Sequence, residues 1–110
     1  MEEALKSIIR QNEAENDGQT VHLYFDDMLG MYLAFGWSAY YVDMVTDPIL
    51  SYSETIEMPV ALLARNHVLC LRQSINIVEH VTHSYYRFRL LINIGDSGYK
   101  RWEENIFKNP

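Results

Sequence analysis

The chain is expected to fold as an α/β (α+β) domain: a mixed sheet of about four strands with helices packed on it. Three observations predict this. Apolar residues change period repeatedly along the 110 residues, from helical three-to-four spacing to alternation and back. The changes fall at turn signals such as Asn16-Asp17-Gly18-Gln19 and Gly95-Asp96-Ser97-Gly98. The resulting order, α-β-β-α-β-α-β-α, alternates too regularly for a helical bundle.

Residues 2–15 form the first helix, with Ala4, Leu5, Ile8 and Ile9 as a narrow apolar stripe. The turn that follows divides the chain into an N-terminal helix and turn over 1–18, detachable as an arm, lid or partner-binding element, and a single mixed α/β domain over 19–110. Val21, Leu23 and Phe25 then alternate with His22, Tyr24 and Asp26, and Leu29, Met31, Leu33 and Phe35 repeat the pattern. A hairpin of strands at about 20–26 and 29–35 follows, and strands apolar on both faces belong in the interior of a sheet. Asp26 and Asp27 are solvated turn residues between them.

Ser38 is placed to cap a short helix carrying Trp37, Tyr40, Tyr41, Met44 and Val45 up to Asp47-Pro48. Leu50, Tyr52, Ile56 and Met58 predict one strand over 49–58, stopped by Pro59 and lying near an edge. Val68, Leu71, Ile75, Val78 and Thr82 predict a helix at about 62–82. Tyr86, Phe88, Leu90, Ile92 and Ile94 alternate with Tyr85, Arg87, Arg89, Leu91 and Asn93 in a strand with two arginines on its second face. Tyr99, Trp102, Ile106 and Phe107 pack a last helix on the body.

Composition excludes several classes. With 48% hydrophobic and 22% charged residues the chain is a folded domain rather than a disordered tract. Cys70 stands alone, so no internal disulfide forms, and the N-terminus carries acids where a secretory signal needs basic residues. The expected compartment is the cytoplasm. The charge-free stretch MLGMYLAFGWSAYYV over 28–42 is shorter than the ~20 residues of a spanning helix and contains two glycines, so no membrane partner is expected.

Charge is segregated. Residues 1–60 hold two basic residues against eleven acids, net −9, whereas 61–110 hold seven against four, net +3. The acidic total of −6 disfavours general polyanion binding. Opposed halves suit a protein partner or self-association into a homo-oligomer.

The segment from Val21 to Pro59 resembles the N-terminal domain of the MutS mismatch-repair proteins and of MutS-like domains in bacterial mobile elements. VHLYFDD matches the family's first strand, GMYLAFG its second and GWSAYYVDMV its helix. The resemblance implies a fold and an ancestry, and leaves a nucleic-acid-associated module as the alternative function. The family's Phe-x-Glu-type motif, which reads a mispaired base, falls on Met31 and Leu33 around Tyr32. Neither stacks on nor hydrogen-bonds a base, so mismatch reading is not implied.

No catalytic set, cofactor site or metal site is expected. His80 and His83 stand one turn apart on the expected helix, but His67 points away from both, and histidines near a helix C-terminus are ordinary. Cys70 beside Leu69 and Leu71 reads as core rather than as a thiolate paired with His67. Asp43 and Glu54 have no evident companion. Two surfaces remain: Tyr32, Trp37, Tyr40 and Tyr41 as an interaction surface, and Arg65, Arg72, Tyr85, Arg87 and Arg89 as a nucleic-acid or anion surface. The expected function is that of a small non-catalytic module acting by protein–protein association.

Overall fold

The computed structural model describes residues 3–74, 77–81, 84–90, 93–95 and 97–108. Helix α1 (Glu3–Ala14) precedes β1 (Thr20–Asp26), β2 (Met31–Phe35), α2 (Trp37–Val45), β3 (Ile49–Ser53), β4 (Met58–Leu63), α3 (Arg65–Ser74), β5 (Ile77–Val81), β6 (Tyr85–Arg89) and α4 (Tyr99–Glu103), which continues into a π-helical turn over Glu104–Lys108. The class is α+β, as expected. The six strands lie in the order β3-β4-β2-β1-β6-β5 and every pairing is antiparallel, so the expected mixed, four-stranded sheet is corrected on both counts.

Two local misreadings account for the difference. The strand expected over 49–58 is a hairpin of β3 and β4, and Pro59 lies inside β4 opposite Tyr52. Proline is tolerated there because the β2–β4 register begins one residue later, at Val60 facing Phe35. The Pro59 carbonyl instead accepts the Gly36 N–H at 3.0 Å. The helix expected over 62–82 stops at Ser74, and Ile77–Val81 form β5. In that stretch the β-branched residues satisfy a period of two as well as one of 3.6, and their stiff side chains favour the strand. Ile75 and Thr82, part of the expected helical stripe, lie outside the described residues.

Alternation along β1 and over Tyr85–Arg89 holds as read, but β6 ends at Arg89: Asn93 and Ile94 are in no strand, and Leu91 and Ile92 lie outside the described residues. Val21, Leu23, Ala34, Ala61, Leu63 and Phe88 meet Trp37, Tyr41, Val42, Val68 and Leu71 in one core under α2 and α3. The opposite face puts Tyr24, Leu33, Phe35 and Val60 against Ile9 of α1, with Ile56 of the β3–β4 turn. Full burial of each valine, leucine, isoleucine or phenylalanine among them contributes about 1.5–3 kcal/mol. The strands apolar on both faces, β1 and β2, are interior as expected.

Helix α1 is tied down by polar contacts as well. Arg10 donates to the carbonyl of Thr55 at 2.6 Å, and Asn12 donates to the Tyr24 hydroxyl at 2.8 Å. The turn after α1 grips a distant segment: Asn93 donates to the Asp17 carbonyl at 2.8 Å and the Ile94 N–H to the Gly18 carbonyl at 3.2 Å.

Ser38 does not cap α2. Gly36 occupies the N-cap, and the first-turn amide of Ser38, which has no acceptor within its own helix, donates to Glu13 Oε1 at 3.1 Å, so a side chain from α1 supplies the missing acceptor. The Ser38 hydroxyl donates to Glu13 Oε2 at 2.8 Å and accepts the His22 N–H at 3.0 Å. Burial outweighs these hydrogen bonds and pushes the Glu13 carboxyl up to about 7.

Among the described residues, one non-glycine position has a positive φ. Glu57, in the β3–β4 turn, has φ 65°, a left-handed conformation costly for a residue with a Cβ. Glu57→Gly is expected to raise stability by about 0.5–1 kcal/mol, a Tm gain of a few degrees by thermal denaturation.

Candidate functional site

The aromatic surface expected from sequence is largely spent on the core. Trp37 and Tyr41 stack at 5.8 Å and are buried, and the Trp37 indole N–H donates to the Gly95 carbonyl at 2.6 Å. Burial raises the Tyr41 phenol. Tyr40 is half-buried between Tyr99 and Trp102, at 6.0 and 5.6 Å. Asp43, read as solitary, accepts the Trp102 indole N–H at 2.8 Å. Trp37 also borders a cleft of about 260 Å³ beside Glu13, Met58 and Tyr99, and Tyr32 lines a larger groove at the surface.

That groove, of about 460 Å³, runs between α3 and the sheet. Arg65, Val68, Leu69 and Arg72 recur at helical spacing along one wall, and Phe25, Tyr32 and Tyr86 form the other. The rings are at 5.0 Å (Phe25–Tyr32) and 5.3 Å (Tyr32–Tyr86). Helical rise sets the backbones of Arg65 and Arg72 about 10 Å apart along the groove. Among the described residues neither guanidinium is in an ion pair. Desolvation and the neighbouring Tyr86 hydroxyl raise the Tyr32 phenol, while Arg65 opposes them. Phe25 and Tyr86 were missed as site residues. Their signal is registration: Phe25 faces Tyr32 across β1–β2, and Tyr86 faces Leu23 across β1–β6.

The expected anion surface divides. Arg65 and Arg72 lie on α3, whereas Tyr85, Arg87 and Arg89 occupy the opposite face of the sheet. Arg87 and Arg89 line a polar cleft of about 240 Å³ with His22, Asn12, Glu15 and Asp17. Arg89 approaches Asp17, in the turn after α1, at 3.8 Å. His22 is buried, with Nδ1 2.7 Å from the Tyr85 hydroxyl. Burial, reinforced by Arg87, depresses its pKa to about 4, so the imidazole is neutral at physiological pH.

The other chemical candidates resolve into local structure. Asp26 accepts the N–H groups of Met28 and Leu29 at 2.9 and 3.1 Å, as a turn residue does. His67 Nδ1 accepts the Ala64 N–H at 3.0 Å and caps α3. Cys70 is exposed, which corrects the core reading: Val68 and Leu71 face the sheet, so Leu69 and Cys70 turn outward. His80 lies in a strand rather than on a helix, which removes the one-turn spacing to His83, a residue outside those described. Among the described residues no three His, Cys, Asp or Glu side chains gather as metal ligands. Ser38 and Glu13 form a hydroxyl–carboxylate pair, but Ser38 is 0% exposed and cannot meet a substrate.

The two sheet edges differ. At one, β5 is broken by a register shift between Val78 and His80 and carries Glu79. Such features discourage pairing with another chain. At the other, β3 reads Ile-Leu-Ser-Tyr-Ser with no charge, no proline and an unbroken register to β4. Ile49 is 61% and Tyr52 44% exposed. Met44 and Val45, also exposed, end α2 ahead of the Thr46-Asp47-Pro48 connection to this strand, and exposed Ile106 adjoins Phe107, whose ring meets Tyr52 at 6.1 Å.

No protein-family model, curated protein or solved structure matches the chain. Among the described residues, no helix is long and apolar enough to cross a membrane.

Proposed function

We propose that the protein is a small non-catalytic module of the cytoplasm that acts by protein–protein association, self-association included. The observation that carries this reading is the open β3 edge. A strand that is exposed, uncharged and regular offers a row of backbone donors and acceptors to another polypeptide. The blunted β5 edge makes the offer one-sided. Size-exclusion chromatography with light scattering, at low and high salt, tests the reading. A species heavier than the 12.9 kDa chain is expected. A strict monomer at every concentration that also retains no partner in a pull-down would overturn it.

The groove favours a second reading, a nucleic-acid-associated module of MutS-like N-terminal fold without mismatch reading. Two guanidiniums beside Phe25, Tyr32 and Tyr86 suit phosphates and stacked bases. Two phosphate contacts on a single strand give a slope of log affinity against log salt of about −1.4. Arg65→Ala/Arg72→Ala is expected to abolish that slope in an oligonucleotide titration. Equal binding by the double variant would exclude the groove.

A further inference from the structure

We infer that β3 pairs with β3 of a second copy, antiparallel and centred on Ser51, joining two six-stranded sheets into one. The inference rests on the association reading and names its partner. Centring on Ser51 places Ile49 opposite Ser53 of the second copy, Leu50 opposite Tyr52, and Ser51 opposite itself.

Three features argue for this occupant. First, the strand is self-complementary. Leu50 and Tyr52 project from the α2–α4 face, where Leu50 already packs on the main core, so the pairing sets an aliphatic side chain against an aromatic one twice, by symmetry. Second, charge allows it. Each copy is net −6, yet β3 carries no charged residue. At its flanks the same register sets Asp47 opposite Thr55 and Pro48 opposite Glu54, so no two acids face each other directly. Third, exposed apolar side chains lie on this strand, Ile49 and Tyr52, and the Phe107 ring stands 6.1 Å from that of Tyr52. They extend the contact beyond the backbone ladder, which alone would be a small interface.

A two-fold axis through Ser51, perpendicular to the sheet, keeps like faces together. Both copies then have α2, α3 and α4 on one side and α1 on the other, and the groove of each remains open.

Ser51→Lys and Ser51→Glu each place like charges about 5 Å apart across the axis. Ser51 is exposed, so each variant is expected to keep the wild-type circular dichroism spectrum and Tm. In sedimentation velocity the wild type is expected as a dimer, each variant as a monomer with dimerisation weakened at least tenfold, and an equimolar mixture of the two as a dimer again. If the wild type associates but both variants associate equally well, the β3 register falls and the association reading stands. A wild type that stays monomeric overturns the pairing, and with no partner in a pull-down it overturns both.

Should the charged variants fail to fold, Ser51→Cys in a Cys70→Ser background supplies the same information. Mild oxidation is expected to link two chains through position 51. Ile49→Cys in the same background should not link, because it faces Ser53 rather than itself. Equal linking at 49 and 51 would overturn the register.

Discussion

Glu13→Gln is expected to convert a protein whose stability is nearly flat between about pH 4.5 and 6.5 into one that loses stability steadily as the pH falls through that window. Two buried groups with opposite displacements balance in the wild type. Glu13 is raised from 4.5 to about 7 by burial, so between those values the folded state holds a proton that the unfolded state has released. Its contribution is full below pH 4.5 and is lost as the pH rises through 7. His22 is depressed from 6.5 to about 4, again by burial first, so the unfolded state holds the extra proton. Its contribution is full above pH 6.5 and is lost as the pH falls through 4. Each has a slope of about 1.4 kcal/mol per pH unit, and the signs are opposite.

Removing Glu13 leaves the histidine slope, and His22→Gln leaves the carboxylate slope, with stability falling from pH 4.5 to 7. Urea midpoints at pH 4.5, 5.5, 6.5 and 7.5, each taken as a difference from wild type, cancel the remaining carboxylates. Parallel profiles for the two variants would refute the balance.

Gly18→Ala is expected to cost about 3 kcal/mol or more. Gly18 has φ +75°, which for alanine costs about 1–2 kcal/mol on its own. The added Cβ would stand 2.6 Å from Gly95 Cα and 2.9 Å from Gly95 N, both backbone atoms unable to swing aside. The 93–95 segment must move, and with it the bonds from Asn93 to the Asp17 carbonyl and from Ile94 to the Gly18 carbonyl. Gly30 provides the control, since it has φ +65° but nothing within 4 Å of an added Cβ. Gly30→Ala should show the backbone cost alone. Thermal melts are expected to drop by more than 10 °C for position 18 and about 5–10 °C for position 30. Equal losses would mean that the contact with Gly95 contributes nothing.

The sequence made some of this legible and hid the rest for definite reasons. The β1–β2 hairpin, α2 and the two faces of β6 follow from local period and were readable. The β3–β4 hairpin was hidden because Pro59 looks like a stop, and only the register of β2 shows why it is tolerated. Trp37 and Tyr41 sit in an aromatic run compatible with core or surface, and which side is covered depends on α2 docking against distant strands. The arginines were visible as residues. Their division between α3 and the far face of the sheet was not, since helical period and strand alternation say nothing of which elements share a side. Glu13 gave no local sign that it would cap another helix 25 positions away.

The sheet order also ranks the pairings by how far the chain must travel. β1–β2, β3–β4 and β5–β6 join consecutive strands, and each can close through a short connection. β1–β6 is different, because it sets Val21 beside Phe88 across most of the chain. Closing so long a loop costs entropy before any contact repays it, and such pairings slow folding. The seam between β1 and β6 is therefore the step that adds the β5–β6 hairpin to the four strands that β2–β4 pairing joins. Until it forms, the hydrophobic faces of β1 and β6 have only their own hairpin partners.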